Sequence, residues 1–199
     1  MIGYVKGKLL HDFGGEIILE NNGVGFSITP SAEAYKDIVA NGGGAVYTYM
    51  AVREDDISLY GFKSIEEKNM FLKLITVSGI GPKMGMTVLS NMSLTDLAVK
   101  IATSDVKGLS QVKGLGKKKA EFIIVELREK MGEELKDKET KKGEKPIVAL
   151  VGKDVEDAML ALTGLGFTKQ ECVAVLTKAK EENVEGVQAL IAYSLKNIK

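Results

Sequence analysis

Tryptophan is absent from the 199 residues, cysteine and histidine occur once each, and there are only three prolines. The single cysteine, Cys172, excludes an intramolecular disulfide and a cysteine-based zinc site. With no apolar N-terminal stretch long enough for a signal peptide, a reducing cytoplasm is the expected home. The lone histidine, His11, excludes His-rich metal centres and any mechanism that needs two imidazoles. No apolar run approaches the ~18 residues of a transmembrane helix, so no membrane span is expected. Neither sign of charge is in excess: 27 Lys and Arg balance 27 Asp and Glu, so overall charge argues neither for nor against a nucleic-acid partner. What is present, 45% hydrophobic and 27% charged residues, is globular composition.

The charge balance is local. Residues 1–63 carry 5 basic and 8 acidic side chains, residues 64–131 carry 11 and 7, residues 132–153 carry 6 and 5, and residues 154–199 carry 5 and 7. A basic middle between acidic ends is the pattern expected if the middle alone meets a polyanion.

The first 62 residues read as strands. Runs at 2–10, 16–20, 25–29, 45–53 and 57–62 are β-branched or aromatic, and turn signals separate them at Gly14-Gly15, Asn21-Asn22-Gly23 and Asn41-Gly42-Gly43-Gly44. Five short strands in so few residues predict a small antiparallel barrel, with a short helix at 31–39 inside it. The pattern then becomes helical. Ser64 with Glu67 forms a capping box, Met70, Phe71, Leu74 and Ile75 recur at helical spacing, and Gly79 stops the helix. Further helices are predicted from Pro82 to about Asn91, from Ser93 to near Thr103, from Ser104-Asp105 to about Ser110, and from Gly116 to about Met131. Residues 132–153 are almost wholly charged and read as a solvated linker, with a helical extension through Lys138 as the alternative. Three amphipathic helices at 154–163, 168–180 and 184–197 predict a compact three-helix tail domain.

The middle region repeats itself. Val77-Ser78-Gly79-Ile80-Gly81-Pro82-Lys83 resembles Val112-Lys113-Gly114-Leu115-Gly116-Lys117-Lys118, 35 residues further on. Each copy is helix, Gly-hydrophobic-Gly, then a helix opening with lysine. Glycine allows a tight bend and close backbone approach to a ligand, while the central Ile80 or Leu115 can tuck into the core. The free amides of the following helix N-terminus favour an anion, and Lys83, Lys117 or Lys118 can add charge to the same phosphate. No base edge would be read, so binding is expected to ignore sequence and to weaken with salt. The bland alternative is a pair of ordinary helix–helix turns. A nucleotide cradle is the poorer reading, because no Gly-x-x-x-x-Gly-Lys-Ser/Thr occurs and neither Gly-x-Gly follows a strand.

Arg53-Glu54-Asp55-Asp56 places three acids between two strand runs. They form either a solvated acidic turn or a metal-binding carboxylate cluster, although consecutive strand residues alternate faces and no other acidic motif completes a two-metal site. Leu165-Gly166-Phe167, between two short helices, fixes a tight bend and either packs internally or leaves an apolar patch for a partner. Cys172 reads as a small buried hydrophobe and His11 as a surface residue.

Taken in order, these residues resemble the RuvA family of Holliday junction-binding subunits of the bacterial branch migration complex. The resemblance spans the chain: Met1-Ile2-Gly3, Gly23-Val24-Gly25, Val52-Arg53-Glu54-Asp55, Leu59-Tyr60-Gly61-Phe62, both Gly-x-Gly turns, Ile124-Val125-Glu126-Leu127 and Leu165-Gly166-Phe167. It implies a mixed, multi-domain fold. An OB-like β-barrel with an acidic pin would occupy 1–63, an all-α tandem helix-hairpin-helix domain 64–131, a charged linker 132–153, and a small three-helix, UBA-like bundle 154–199. It also implies a homotetramer with fourfold symmetry on Holliday junction DNA, with two tetramers sandwiching the DNA as a further arrangement. The hairpin residues Gly79, Gly81, Lys83, Gly114, Gly116, Lys117 and Lys118 would hold phosphate, and Glu54 and Asp55 would form the central pin. The C-terminal domain, through Leu165, Gly166 and Phe167, would recruit the hexameric ATPase RuvB, and the resolvase RuvC could share the junction. No cofactor, metal or catalytic site of its own is implied. The chain departs from the family pattern at Lys119, where members often carry threonine, and at Asp56, which adds a third acid. A nuclease or glycosylase using the same carboxylates, and a protein-binding adaptor using the Gly-x-Gly segments as plain turns, are the competing readings.

Overall fold

The computed structural model describes residues 1–137 and 152–198. Period-two alternation puts Ile17 and Leu19 on one face of their strand, and the same rule applied to each run builds a closed five-stranded barrel. Its strands are β1 (Tyr4–Asp12), β2 (Ile17–Asn21), β3 (Val24–Pro30), β4 (Gly43–Val52) and β5 (Ile57–Phe62), in the order β1-β2-β3-β5-β4 with β4 pairing back to β1. All neighbours are antiparallel except β3 and β5, which run parallel through Thr29 opposite Tyr60 and Pro30 opposite Gly61. Val5, Ile17, Leu19, Ile28, Val46 and Leu59 fill the interior, joined by Ala34 and Ile38 of α1 (Ala32–Asn41). A Cβ at Gly7 would lie 2.2 Å from the Glu20 carbonyl oxygen, so only glycine permits that strand crossing. The expected glycine turn after α1 is shorter than its sequence suggests: Gly42, with φ of 64°, ends the helix, and Gly43 already belongs to β4.

The helical middle comprises α2 (Ile65–Ile75), α3 (Pro82–Asn91), α4 (Leu94–Ala102), α5 (Val106–Ser110) and α6 (Lys117–Asp137). Side-chain oxygens start several of these helices where the sequence placed them. The Glu67 amide donates to Ser64 Oγ at 3.2 Å, and the Asp96 amide donates to Ser93 Oγ at 3.1 Å. The Glu67 carboxylate in turn accepts from the Lys63 amide at 2.8 Å. Burial pushes its carboxyl group above the ordinary glutamate range, and the hydrogen bonds from Lys63 and Ser31 offset part of that.

Helix α6 runs six residues beyond the predicted linker boundary, to Asp137, as the alternative reading allowed. The physical reason is composition, since Glu133-Glu134-Leu135-Lys136 are strong helix formers with no terminator among them. The remainder of the predicted linker, 138–151, lies outside the described residues. The tail consists of α7 (Lys153–Gly164), α8 (Lys169–Glu181) and α9 (Val187–Asn197), and Thr168 with Glu171 forms a complete capping box ahead of α8. Cys172 is fully buried.

The chain divides into two compact units, Met1–Ile75 with Gly81–Asn91, and Thr76–Ile80 with Met92–Lys199. In the first, Phe71 of α2 is fully buried against Tyr49, Tyr60 and Phe62 of the barrel. In the second, α7 packs on α4 and α6. There Arg128 reaches the buried Asp157 at 3.5 Å, and the Met131 side chain lies where a Cβ on Gly164 would sit. Among the described residues, no helix is long and apolar enough to cross a membrane.

Candidate nucleic-acid interface

Two six-residue connections in the helical middle share one design. Thr76–Gly81 joins α2 to α3, and Gln111–Gly116 joins α5 to α6. In each, the second and fifth residues are buried and the other four are exposed, with Val77 and Ile80 in the first and Val112 and Leu115 in the second. Each buried pair is closed by a main-chain bond: the Ile80 amide donates to the Val77 carbonyl at 3.0 Å, and the Leu115 amide to the Val112 carbonyl at 2.9 Å. The expected tucking of Ile80 and Leu115 is therefore what the structure has. Within each pair the glycines differ in what requires them. Gly79 and Gly114 sit at φ of 78° and 82°, in the left-handed region that side chains other than glycine avoid. Gly81 and Gly116 are not left-handed, and a Cβ on either would meet nothing within 4 Å. The turn demands the first glycine; nothing inside the chain demands the second.

Main-chain donors gather at these bends. Among the described residues, the amides of Gly79, Gly81, Gly114 and Gly116 donate to no group of the chain, nor do those of Lys83, Lys117 and Lys118 in the first turns that follow. By contrast α1, α4, α5 and α8 each open with a side-chain oxygen on their first amides, from Ser31, Ser93, Asp105 and Thr168. An uncapped helix N-terminus concentrates partial positive charge on bare N–H groups, which suits a phosphate oxygen. The lysines stand beside them. Lys83 is exposed, Lys117 Nζ is 3.9 Å from Glu121, and Lys118 Nζ lies 5.9 Å from the centre of the Phe122 ring. Lys119 is half-buried.

The start of α5 carries a small polar knot that sequence reading caught only as a helix start. The Asp105 carboxylate accepts from the Gly108 amide at 2.8 Å and from Lys100 Nζ at 3.2 Å. The Gly108 bond, then Lys100, holds the Asp105 carboxyl below the ordinary aspartate range. Asp105→Ala should cost about 1 kcal/mol in urea denaturation at pH 7. Because the folded-state pKa is lowered, this stability is present above the ordinary aspartate pKa and disappears as pH falls through the folded value. Parent and variant should therefore converge in strong acid, and a gap that widened on acidification would contradict the assignment.

Glu54 and Asp55 are the two central residues of the turn between β4 and β5, closed by the Arg53 amide donating to the Asp56 carbonyl at 2.8 Å. Both are exposed, and they stand between two exposed apolar residues, Val52 and Ile57. The third acid departs from the pair: the Asp56 carboxylate turns back to accept from Ser58 Oγ. Among the described residues, no group of three His, Cys, Asp or Glu side chains is arranged to hold a metal ion. At the third motif, Leu165 is buried at the end of α7, Gly166 adopts φ of 104°, and Phe167 is half-buried with its amide on the Leu162 carbonyl at 3.2 Å. Only Phe167 of that trio offers apolar surface, so internal packing accounts for Leu165.

Three family models match the chain in sequence order. The RuvA N terminal domain covers residues 1–61, a SAM-like helix-hairpin-helix tandem covers 71–129, and the RuvA C-terminal domain covers 153–199. Among curated proteins, the chain is 37% identical over 196 residues to the Holliday junction branch migration complex subunit RuvA of Alkaliphilus oremlandii, covering 98% of each. It is 36% identical to the protein of that name from Acetivibrio thermocellus, with 100% of this chain and 98% of the relative covered. It is 37% identical to that of Chromobacterium violaceum, with 98% and 100% covered.

Proposed function

The chain belongs to the RuvA family, and from that premise we propose that it binds four-way DNA junctions by structure, without reading sequence, as a non-catalytic subunit of a branch migration complex. The observation that carries this reading is the pair of Gly-x-Gly bends with bare amides. Gly79, Gly81, Gly114 and Gly116 would present main-chain N–H groups to the sugar–phosphate backbone, and Lys83, Lys117 and Lys118 would add charge. The working division of the chain is a barrel with its pin at 1–63, the hairpins at 64–131, a linker at 132–153 and a partner-binding tail at 154–199. Four copies around a fourfold axis would give one pair of hairpins to each arm, with a second tetramer able to close the other face. The tail would engage the RuvB ATPase, with Phe167 as the accessible apolar group, and RuvC would act on the same junction in the cytoplasm.

Glu54 and Asp55 act in this reading by repulsion. Four protruding tips would bring carboxylates to the crossover, where phosphates are dense, and keep the strands from re-pairing in the wrong register. Replacing both by lysine should leave junction binding intact, tighten binding to linear duplex roughly tenfold, and disturb branch migration. Unchanged strand exchange on synthetic junctions would remove the pin from the mechanism. The reading as a whole is tested by a gel-shift series with junction, fork and linear duplex at two salt concentrations. Tight, salt-sensitive binding to the junction with weak binding to duplex is expected, and equal affinity for all three would refute it.

A further inference from the structure

The first bend has a support that no local sequence rule supplies. The exposed Ser78 amide, next to Gly79, donates to Glu126 Oε1 at 3.3 Å across 48 residues of chain. Glu126 sits on α6, the helix that the second bend opens. One turn further along α6, Lys130 Nζ donates to Thr76 Oγ1 at 2.7 Å and lies 3.9 Å from Glu126 Oε2. Thr76, Ser78, Glu126 and Lys130 all fall in the same compact unit. The second bend has no matching tie among the described residues. Lys113 occupies the place of Ser78 in the repeat, and its amide donates to no group of the chain.

We infer that Glu126 and Lys130 are positioning residues that clamp the first phosphate-binding bend to the helix of the second, so that the two bends meet DNA as one preformed element. The proposal rests on the hairpin reading above and deepens it. The Ser78 amide is the donor immediately before the glycine pair, and in the free chain it is already spent on a carboxylate. That bond fixes the Val77–Ser78 peptide, which directly precedes the peptide carrying the Gly79 amide, and leaves the Gly79 amide to face a ligand. Lys130 holds the other side of the bend at Thr76 and partly balances the Glu126 charge, which would otherwise face an incoming phosphate. A site whose donors are preset binds without spending energy on ordering them. Without the clamp, each encounter with DNA would have to order the first bend anew.

The experiment uses the full chain with Glu126→Ala, Lys130→Met and the conservative Glu126→Gln, which keeps an acceptor oxygen for Ser78. Amide hydrogen exchange is followed at Ser78 without DNA, and affinity for a synthetic four-way junction is measured beside Gly116→Leu. Glu126→Ala should speed Ser78 exchange and weaken junction binding roughly tenfold with an unchanged melting temperature. Lys130→Met should fall in between, and Glu126→Gln should restore most of both. Faster exchange with unchanged affinity would overturn the positioning role while leaving the hairpin reading standing, provided Gly116→Leu still loses binding. If Gly116→Leu also binds normally, the hairpin reading fails and the inference fails with it. Loss of affinity in step with loss of folded protein, or no rescue by glutamine, would make Glu126 a merely structural residue and also overturn the proposal.

Discussion

A chain carrying Gly81→Leu and Gly116→Leu is expected to fold and melt as the parent does, yet to bind a four-way junction roughly 100-fold more weakly. The expectation follows from the separate duties of the two glycines in each bend. Neither position is left-handed and a Cβ on either would meet nothing within 4 Å, so a side chain starts there without backbone strain and with open space at its first carbon. The unfolded state loses some freedom, which if anything stabilises the variant by a few tenths of a kcal/mol. A phosphate seated on the bare amides, however, would have to occupy the space the new side chain fills. Losing about two hydrogen bonds to a charged oxygen is worth roughly 3 kcal/mol, or two orders of magnitude in affinity. Gly79→Leu and Gly114→Leu make the contrast, because those positions are left-handed and should cost about 1–2 kcal/mol of stability as well. Junction binding that survived the Gly81 and Gly116 pair would leave the bends as plain connectors, as in the adaptor reading.

The second large effect concerns stability. Phe71→Ala should destabilise the unit containing the barrel by about 3–5 kcal/mol in equilibrium unfolding. Phe71 is fully buried, with its ring centre 4.7 Å from Phe62, 5.3 Å from Tyr49 and 5.9 Å from Tyr60. The same ring lies 3.1 Å from where a Cβ on Gly85 of α3 would be. One side chain thus seats α2 on β4 and β5 and sets how closely α3 can approach α2. A large void is left when it is removed, and helices and strands cannot all collapse into it. A cost below about 1 kcal/mol would mean that α2 is held to the barrel by something else.

Elements whose signal is local could be read from the sequence. Strand β5 matches its predicted span of 57–62, α3 starts at Pro82, and Ser31, Ser64, Ser93 and Asp105 serve as helix starts because capping needs only three or four consecutive residues. The repeat of Val-x-Gly-hydrophobic-Gly was equally visible, and the shared burial pattern of its two copies gives it physical content. What could not be read depends on partners far apart in the chain. The parallel pairing of β3 with β5 joins residues 31 apart, at Thr29 and Tyr60. The tie from Glu126 to Ser78 has no sequence signature, because a Glu-Lys pair four residues apart on a helix is ordinary. The division of labour between Gly79 and Gly81 needed backbone angles, and the burial of Leu165 needed a fold around it. Helix α6 outran its predicted end because a charged run looks the same whether solvated as coil or as helix.

The seam where β3 meets β5 is the barrel's shortest, resting on Thr29 opposite Tyr60 and Pro30 opposite Gly61, and a proline has no N–H to give. It is extended only where the Ser31 amide reaches the Gly61 carbonyl at 2.8 Å. A cylinder so joined is expected to zip shut there last, since that contact bridges residues 31 apart with the fewest paired positions of any seam. It is expected to open there first as well, and each opening would lay bare a strand edge onto which another chain could graft. Limited proteolysis near 57–62 in the native protein, well before general unfolding, is how that breathing would show itself.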